Sequence, residues 1–396
     1  MKRICLIASG LHLKRLRLQP WRYLHQISLE LLQRGHTVTI ISDGATTPYY
    51  EDLAGVSVHR IPTIANPRWS HNADLYTALS SYAPDIVMWH LGKTSFLHQN
   101  FNFPAATNLG IFTSPLYNIN ELAALGMRRL IKGYQLCAIH VLGACTPRQV
   151  LRKSLDRNRL DGLVVQTHTT HNRLLEYGVR ADEMTVIAPG VDAEWCHQTA
   201  DEDLRQELGF TPQDKIIVYF GALASLRGLH TLMRAFAIAR QHDARLKLLI
   251  LSRRHANELI NEDAQLGRLL TDEAVAPHVH LTSGYLSPQD LIRHVAAADV
   301  VALPFELVPS DAPLSLLEAQ ALEKPIITTE IACLSELTQP GNRFLAQPAD
   351  VPSLVQAIRR ATQGPRTALV GRYVVPPSIR RWGQVGAEWS RFIQSR

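Results

Sequence analysis

Long hydrophobic runs are missing from this sequence. Within its 396 residues no apolar stretch reaches the roughly 18–20 residues that cross a bilayer, which excludes a transmembrane helix. The opening stretch, MKRICLIASG, has too short an apolar core for a secretory leader and reads as a first strand. Cysteine is scarce. Cys5, Cys137, Cys145, Cys196 and Cys333 are scattered, odd in number and without metal-site spacing, which implies reduced thiols in a cytoplasm. Low-complexity tracts are absent too, and 46% hydrophobic with 19% charged residues is a globular composition. The chain is too long for one ordinary core, so two domains are expected.

Several motifs are incomplete, and each gap excludes a chemistry. No Gly-x-Gly-x-x-Gly fingerprint follows the first strand. Gly92-Lys93-Thr94 resembles the tail of a phosphate loop, but the required glycine five places earlier is Val87. His168 and His171 have one-turn spacing with no third ligand in view. Asp201 and Asp203 make an acid-x-acid pair inside an otherwise ordinary surface helix. No metal site is therefore expected. The net charge of +6 is unevenly spread: residues 1–195 hold 20 Lys and Arg against 14 Asp and Glu, and residues 196–396 hold 21 of each. Nucleic-acid motifs and interleaved aromatics are lacking. The basic half therefore points to an anionic membrane surface or an acidic acceptor, not to nucleic acid.

What is present is an alternation of strand and helix. RICLIA at 3–8 is a buried strand ending at Ser9-Gly10. A basic, leucine-rich insert, LHLKRLRLQPWR at 11–22, precedes a helix over 23–34, and RGH at 34–36 turns into the strand TVTIIS. Further strands are predicted at 56–61, 85–90, 160–167, 215–220, 245–251, 278–283, 300–303 and 326–329. Helices are predicted near 229–241, 288–297, 350–363 and 378–393. The alternation predicts two doubly wound parallel sheets joined by a linker over about 193–212.

The stretch VALPFELVPSDAPLSLLEAQALEKPIITTE at 301–330 carries the strongest signal. Its buried strand ends at Pro304. Asp311, Pro313 and a Leu-rich turn read as a helix start with Asp311 as the cap, and Lys324-Pro325 stops the helix before the next strand. This is a right-handed βαβ crossover, and ligands of such sheets bind beyond the carboxyl ends of the strands. The helix N-terminus near Leu314-Ser315 offers free N–H groups and partial positive charge to a phosphate. Glu318, one turn deeper, presents a carboxylate suited to two ribose hydroxyls.

This stretch resembles the donor signature of retaining glycosyltransferases of the GT-B fold, family 4 type, the group related to bacterial mannosyltransferases and glycogen synthase. The signature is an acid, seven residues, a Glu, then Ala, small residues and Lys-Pro. LEAQALEKP at 317–325 fits, with Glu318 at the second acid; the first acid falls on Ser310, with Asp311 one place late. A second match is KIIVYFGALASLRGL at 215–229, where the family has Gly-Arg-Leu and then Lys-Gly clasping the donor diphosphate. Gly221 keeps its place and Arg227 takes that of the lysine, but Ala222 stands where the arginine should be. The strand at 245–251 delivers Arg253 and Arg254 to the same crevice, where one of them replaces the missing charge or both are surface arginines. The resemblance implies that Gly284, Tyr285 and Leu286 seat the base and that His90, at a strand end, lies between donor and acceptor. Ser9 and Gly10 fall at the acceptor side, with the 11–22 insert either a lid over the acceptor or a solvated basic loop.

The implied fold is α/β, GT-B: two Rossmann-like domains facing a cleft. Residues 1–195 would bind the acceptor, residues 196–377 the nucleotide sugar, and a helix in 378–396 would cross back with Trp382 at the junction. The implied reaction is hexosyl transfer with retention from a nucleotide-diphosphate sugar to a saccharide or lipid-linked acceptor, without metal or other cofactor. Arg227, His90 and Asp311 are the expected catalytic residues, Asp311 acting from a shifted loop and Glu306 being a further candidate. ELAALGMRRLIKG at 121–133, with Arg128, Arg129 and Lys132, reads either as a helix on an anionic membrane or as a core-facing helix with a solvated basic side. A cytoplasmic protein with peripheral contact at the inner membrane face follows from the first option. A degenerate binding or partner subunit and a GT-B epimerase remain as alternative readings; Ala222 and Ser310 favour the former.

Overall fold

The computed structural model describes residues 1–64, 72–92, 102–126, 131, 134–147, 149–150, 160–196, 201–221, 226–252, 264–284, 286–364 and 379–396. Two sheets organise them. The first contains β1 (Arg3–Ile7), β2 (Thr37–Ser42), β3 (Tyr49–Leu53), β4 (Val56–Arg60), β5 (Ile86–Leu91), β6 (Thr107–Phe112), β7 (Gly162–Val165) and β8 (Met184–Val186), in the order β3-β4-β2-β1-β5-β6-β7-β8. The second contains β9 (Lys215–Phe220), β10 (Leu246–Ser252), β11 (Val279–Ser283), β12 (Val300–Leu303), β13 (Ile326–Thr329) and β14 (Arg343–Ala346), in the order β11-β10-β9-β12-β13-β14. Every pairing is parallel except β3 with β4.

Near-continuous apolar runs give this architecture, because a parallel strand is covered on both faces. All residues of β9, β12 and β13 are buried. Buried Lys215 is no exception to the chemistry: its ammonium donates to Asp243 at 2.9 Å and to the Thr362 carbonyl at 2.8 Å. In the first sheet the chain winds outward from β1 through β2 and then returns to β5. In the second it winds from β9 through β10 to β11 and returns to β12. The strand order thus reverses beside β1 and β5, and beside β9 and β12, which opens a crevice at the carboxyl end of each sheet.

The two sheets change over between β8 and β9, where the predicted boundary at 195 falls; the one at 377 lies outside the described residues. The last helix, Trp382–Gln394, lies on the first helix, Trp21–Gln33. Trp389 Nε1 donates to the Tyr23 hydroxyl at 3.0 Å, which in turn donates to the Ile187 carbonyl at 2.9 Å. Glycine at 386 makes the approach possible: a Cβ there would fall 2.4 Å from Glu30 Cβ. Val191 and Arg381 form a parallel bridge at this crossing, beside Trp382, whose side chain is buried.

Candidate active site

The loop after β9 begins at Gly221, with φ +123°, and ends at Gly228, with φ +77°, just before the helix Leu229–Arg240. A Cβ on Gly228 would lie 1.8 Å from the Pro304 carbonyl oxygen. Only a glycine lets the loops after β9 and β12 touch there. Between them sits Arg227. Its guanidinium carbon lies 5.3 Å from the Phe305 ring centroid, and a Cβ on Gly221 would come 2.7 Å from its Nη1. The side chain is therefore close to both a ring and a bare backbone.

After β12 the chain runs through 304–313 into the helix Leu314–Ala321. Pro313 occupies the N-cap position and no side chain caps this helix, so its first N–H groups are left for a ligand. The expectation of an Asp311 cap is corrected here. Asp311 is fully buried and its carboxylate faces the other domain: Thr167 Oγ1 donates to its Oδ1 at 2.9 Å and Thr170 Oγ1 at 2.6 Å. Its backbone N–H donates to the Thr113 carbonyl at 2.8 Å. Burial, partly offset by the two threonine bonds, pushes its pKa up to about 7. Ser310 lines the cleft, whereas Asp311 does not.

The same contact takes up other residues. The Tyr117 hydroxyl accepts from Val308 N at 2.7 Å and donates to Val308 O at 3.2 Å. Glu336 accepts from His168 N and Thr169 N, each at 2.7 Å, at the start of the helix His168–Glu176. His90 Nε2 lies 2.9 Å from Thr113 Oγ1, and burial lowers its pKa to about 4, so the ring is neutral at pH 7. His90 and Asp311 are thus brought together through Thr113, but neither lines the cleft. Glu306 is also buried and accepts from Thr231 Oγ1 at 2.5 Å.

The cleft itself has a volume of about 410 Å³. The second domain contributes Gly221, Arg227, Gly284, Leu286, Ser310, Leu314, Ser315 and Glu318, so eight residues singled out in the sequence share one cavity. Ala222, Arg253, Arg254 and Tyr285 lie outside the described residues. Ser9 and Gly10 do not line it; the Ser9 hydroxyl donates to Asp43 Oδ2 at 2.5 Å and Gly10 N to Asp43 Oδ1 at 2.7 Å, which fixes the turn after β1. The unforeseen part is the opposite wall. Arg17, Leu18, Gln19 and Arg22 from the basic insert line the same cavity as the second-domain residues, together with Asp192 and Glu194. The insert's alternation of Leu with Arg was the available signal, since it implies one apolar and one charged side.

A parallel-sheet pair facing such a cleft is the GT-B arrangement. Sucrose-phosphate synthase of Thermosynechococcus elongatus superposes with a TM-score of 0.69 at 16% identity, over 100% of this chain and 99% of that one. Anabaena Alr3699/HepE in complex with UDP gives 0.70 at 16% identity over 100% of both chains. The family model described as Glycosyl transferase 4-like domain matches residues 20–190, and the one described as Glycosyl transferases group 1 matches residues 214–363. The chain belongs to these glycosyltransferases and is a transferase enzyme. The D-inositol 3-phosphate glycosyltransferase of Nocardia farcinica is 24% identical over 339 residues, 81% of this chain and 71% of that protein. The protein of the same name in Rhodococcus jostii is 24% identical over 344 residues, 82% and 72% of the two chains.

Proposed function

We propose that the protein transfers a hexose from a UDP-sugar to a hydroxyl of a saccharide or lipid-linked acceptor, with retention and without a metal. The observation that carries this reading is the convergence of Arg227, the uncapped N-terminus at Leu314-Ser315 and Glu318 on one cleft. Arg227 and the helix dipole face the leaving diphosphate, Glu318 takes the ribose hydroxyls, and Gly284 with Leu286 form the base side. UDP bound to HepE supports the choice of base. In the step itself the anomeric C–O bond to the diphosphate breaks, and the acceptor oxygen bonds to the same face of that carbon. The acceptor's proton passes to the departing phosphate. Fixed positive groups aimed at the phosphate lower the barrier because they need no reorganisation.

The donor test is calorimetric titration with UDP, GDP and ADP in the presence of EDTA. UDP is expected to bind, and Glu318→Ala to weaken it roughly 10- to 100-fold, the range for a lost hydrogen bond to a charged group. Unchanged UDP affinity in that variant would remove Glu318 from the ribose.

The acceptor side faces the basic domain, and the same reading places that domain on an anionic lipid surface. Ile119 is 58% exposed, Ile131 66%, Ile139 46% and Leu142 47%, all within a stretch whose sequence also carries Arg128, Arg129 and Lys132. Apolar side chains flanked by basic ones suit the interface of an anionic bilayer. Among the described residues no helix is long and apolar enough to cross one. The protein is expected to co-sediment with phosphatidylglycerol vesicles at low salt, and Ile139→Asp with Leu142→Asp to reduce the bound fraction several-fold. Absence of wild-type co-sedimentation would refute the contact.

A further inference from the structure

We propose that a second cavity between the domains is a saccharide-binding site, which takes a neutral, hydroxyl-rich part of the acceptor away from the reacting centre. This rests on the saccharide-acceptor reading above. The cavity has a volume of about 850 Å³, within the range of sites that enclose a small molecule. Among the described residues it shares no lining with the donor cleft. The donor cleft takes Gly221, Ser252, Gly284 and Ser310 from the segments at the carboxyl ends of β9, β10, β11 and β12. In the second cavity Glu330 follows β13 and Gln347 follows β14. Adjacent strands lie about 4.8 Å apart, so the end of β14 is roughly 10 Å from that of β12. The first domain contributes residues of the helix Ile119–Ala124 and those flanking it.

The polar groups of the wall are held before a ligand arrives. Arg173 donates to both oxygens of Glu121, at 2.7 and 2.5 Å, and Asn118 Oδ1 accepts from Glu121 N at 2.8 Å. Gln347 Nε2 donates to Glu330 Oε2 at 3.0 Å, and Asp350 Oδ1 accepts from Ser353 N at 3.0 Å. Among the described residues these bonds leave Asn118 Nδ2, Asn120 Nδ2 and the Arg234 guanidinium as donors. They leave Glu330 Oε1, Gln347 Oε1 and Asp350 Oδ2 as acceptors. A hydroxyl both donates and accepts, so a sugar needs both kinds. Buried Ile331 and Val351 add apolar surface for the faces of a sugar ring. Charge decides the ligand class. Glu121 is balanced by Arg173, and among the described lining residues Glu330 and Asp350 still outnumber Arg234. That balance disfavours a phosphate or an anionic headgroup and suits a neutral ligand.

The test is binding of the full chain to a printed array of neutral oligosaccharides, with phosphorylated counterparts alongside and calorimetric titration with UDP in parallel. The wild-type protein is expected to bind the neutral oligosaccharides. Ala124→Trp, at an exposed helix position, fills the cavity; Asn120→Ala with Arg234→Ala removes two donors. Both variants are expected to weaken the glycan about tenfold or more, the scale of two lost hydrogen bonds, and to change UDP affinity less than about twofold. No wild-type binding of neutral oligosaccharides, or a preference for the phosphorylated ones, overturns the proposal. Unchanged glycan binding in both variants also overturns it and places the glycan elsewhere. Equal loss of glycan and UDP does the same, since the cavity would then not be separate from the donor cleft. A wild-type protein that binds glycan but no nucleotide overturns the UDP-sugar reading and leaves the cavity assigned.

Discussion

Arg227→Ala is expected to lower turnover by about 100- to 1,000-fold, the loss of roughly 3–4 kcal/mol that follows removal of one preorganised donor to a developing negative charge. UDP affinity in the same variant is expected to fall less than about tenfold. The asymmetry follows from how the side chain is held. The Phe305 ring and the bare backbone of Gly221 both lie close to the guanidinium, which restricts its position before any ligand arrives. A fixed charge gains most when the bridging oxygen becomes a phosphate leaving group, and less when the intact sugar nucleotide is bound. Single-turnover rates and UDP titrations, measured side by side, separate the two effects. Wild-type turnover would end the assignment. An equal loss in rate and in donor affinity would turn Arg227 into a binding residue.

The parts of the site that were legible in the sequence are those set by local pattern. VVAL at 300–303 and IITT at 326–329 are strands at those residues, and the helix between them runs from Leu314 to Ala321. Such runs have one physical solution once they are buried on both faces. Gly221, Arg227 and Glu318 were singled out by the family resemblance, and they share the cleft. Among the strands not foreseen are two at sheet edges. β3 reads YYEDL, with polar residues in its second half, and pairs antiparallel at the sheet edge through a turn with Ala54 at φ +50° and Gly55 at φ +88°. An edge strand needs only one covered side, so its hydrophobic signal is weak. β14, RFLA, is likewise a short edge strand whose first three residues are only partly buried.

The misreadings have a different origin. Asp311 two places before a proline looks like a helix cap, and no local pattern reveals that its partners are Thr167 and Thr170, over 140 residues away in sequence. The insert at 11–22 shows alternating charge and leucine, but sequence alone does not say which surface the charges face. It lines the cleft together with the second domain, and Gln19 reaches Ala312. In both cases the deciding contact joins the two domains, and the long-range arrangement had to be known first. The second domain's share of the cleft lining was therefore named in the sequence, while the contacts between the domains were not.

Asp311→Asn is expected to flatten the pH dependence of stability and to raise the melting temperature at pH 8. Asp311 is fully buried and its carboxyl pKa is pushed up to about 7, against an ordinary value of 3.8. The folded state therefore favours the protonated form. Below the ordinary value the neutral acid contributes its full stability; the contribution declines as pH rises and is lost as pH passes about 7. The difference between the two values corresponds to roughly 4 kcal/mol at high pH. Thr167 and Thr170 support Oδ1 of the carboxylate, but Oδ2 is buried without a hydrogen-bond partner. Glu336 adds a repulsive charge, and the buried Cys333 thiol, pushed above its usual range, adds no competing ionisation near neutrality. His90, reached through Thr113, is neutral above about pH 4 and does not offset the charge. Asn keeps an oxygen for both threonines and carries no charge at any of these pH values. Melting curves from about pH 3.5 to 8 should converge at the acid end and separate as pH rises to about 7, the variant being the more stable at the alkaline end. Parallel curves would mean that Asp311 keeps an ordinary carboxylate pKa, and that its contact with the first domain opens readily to water.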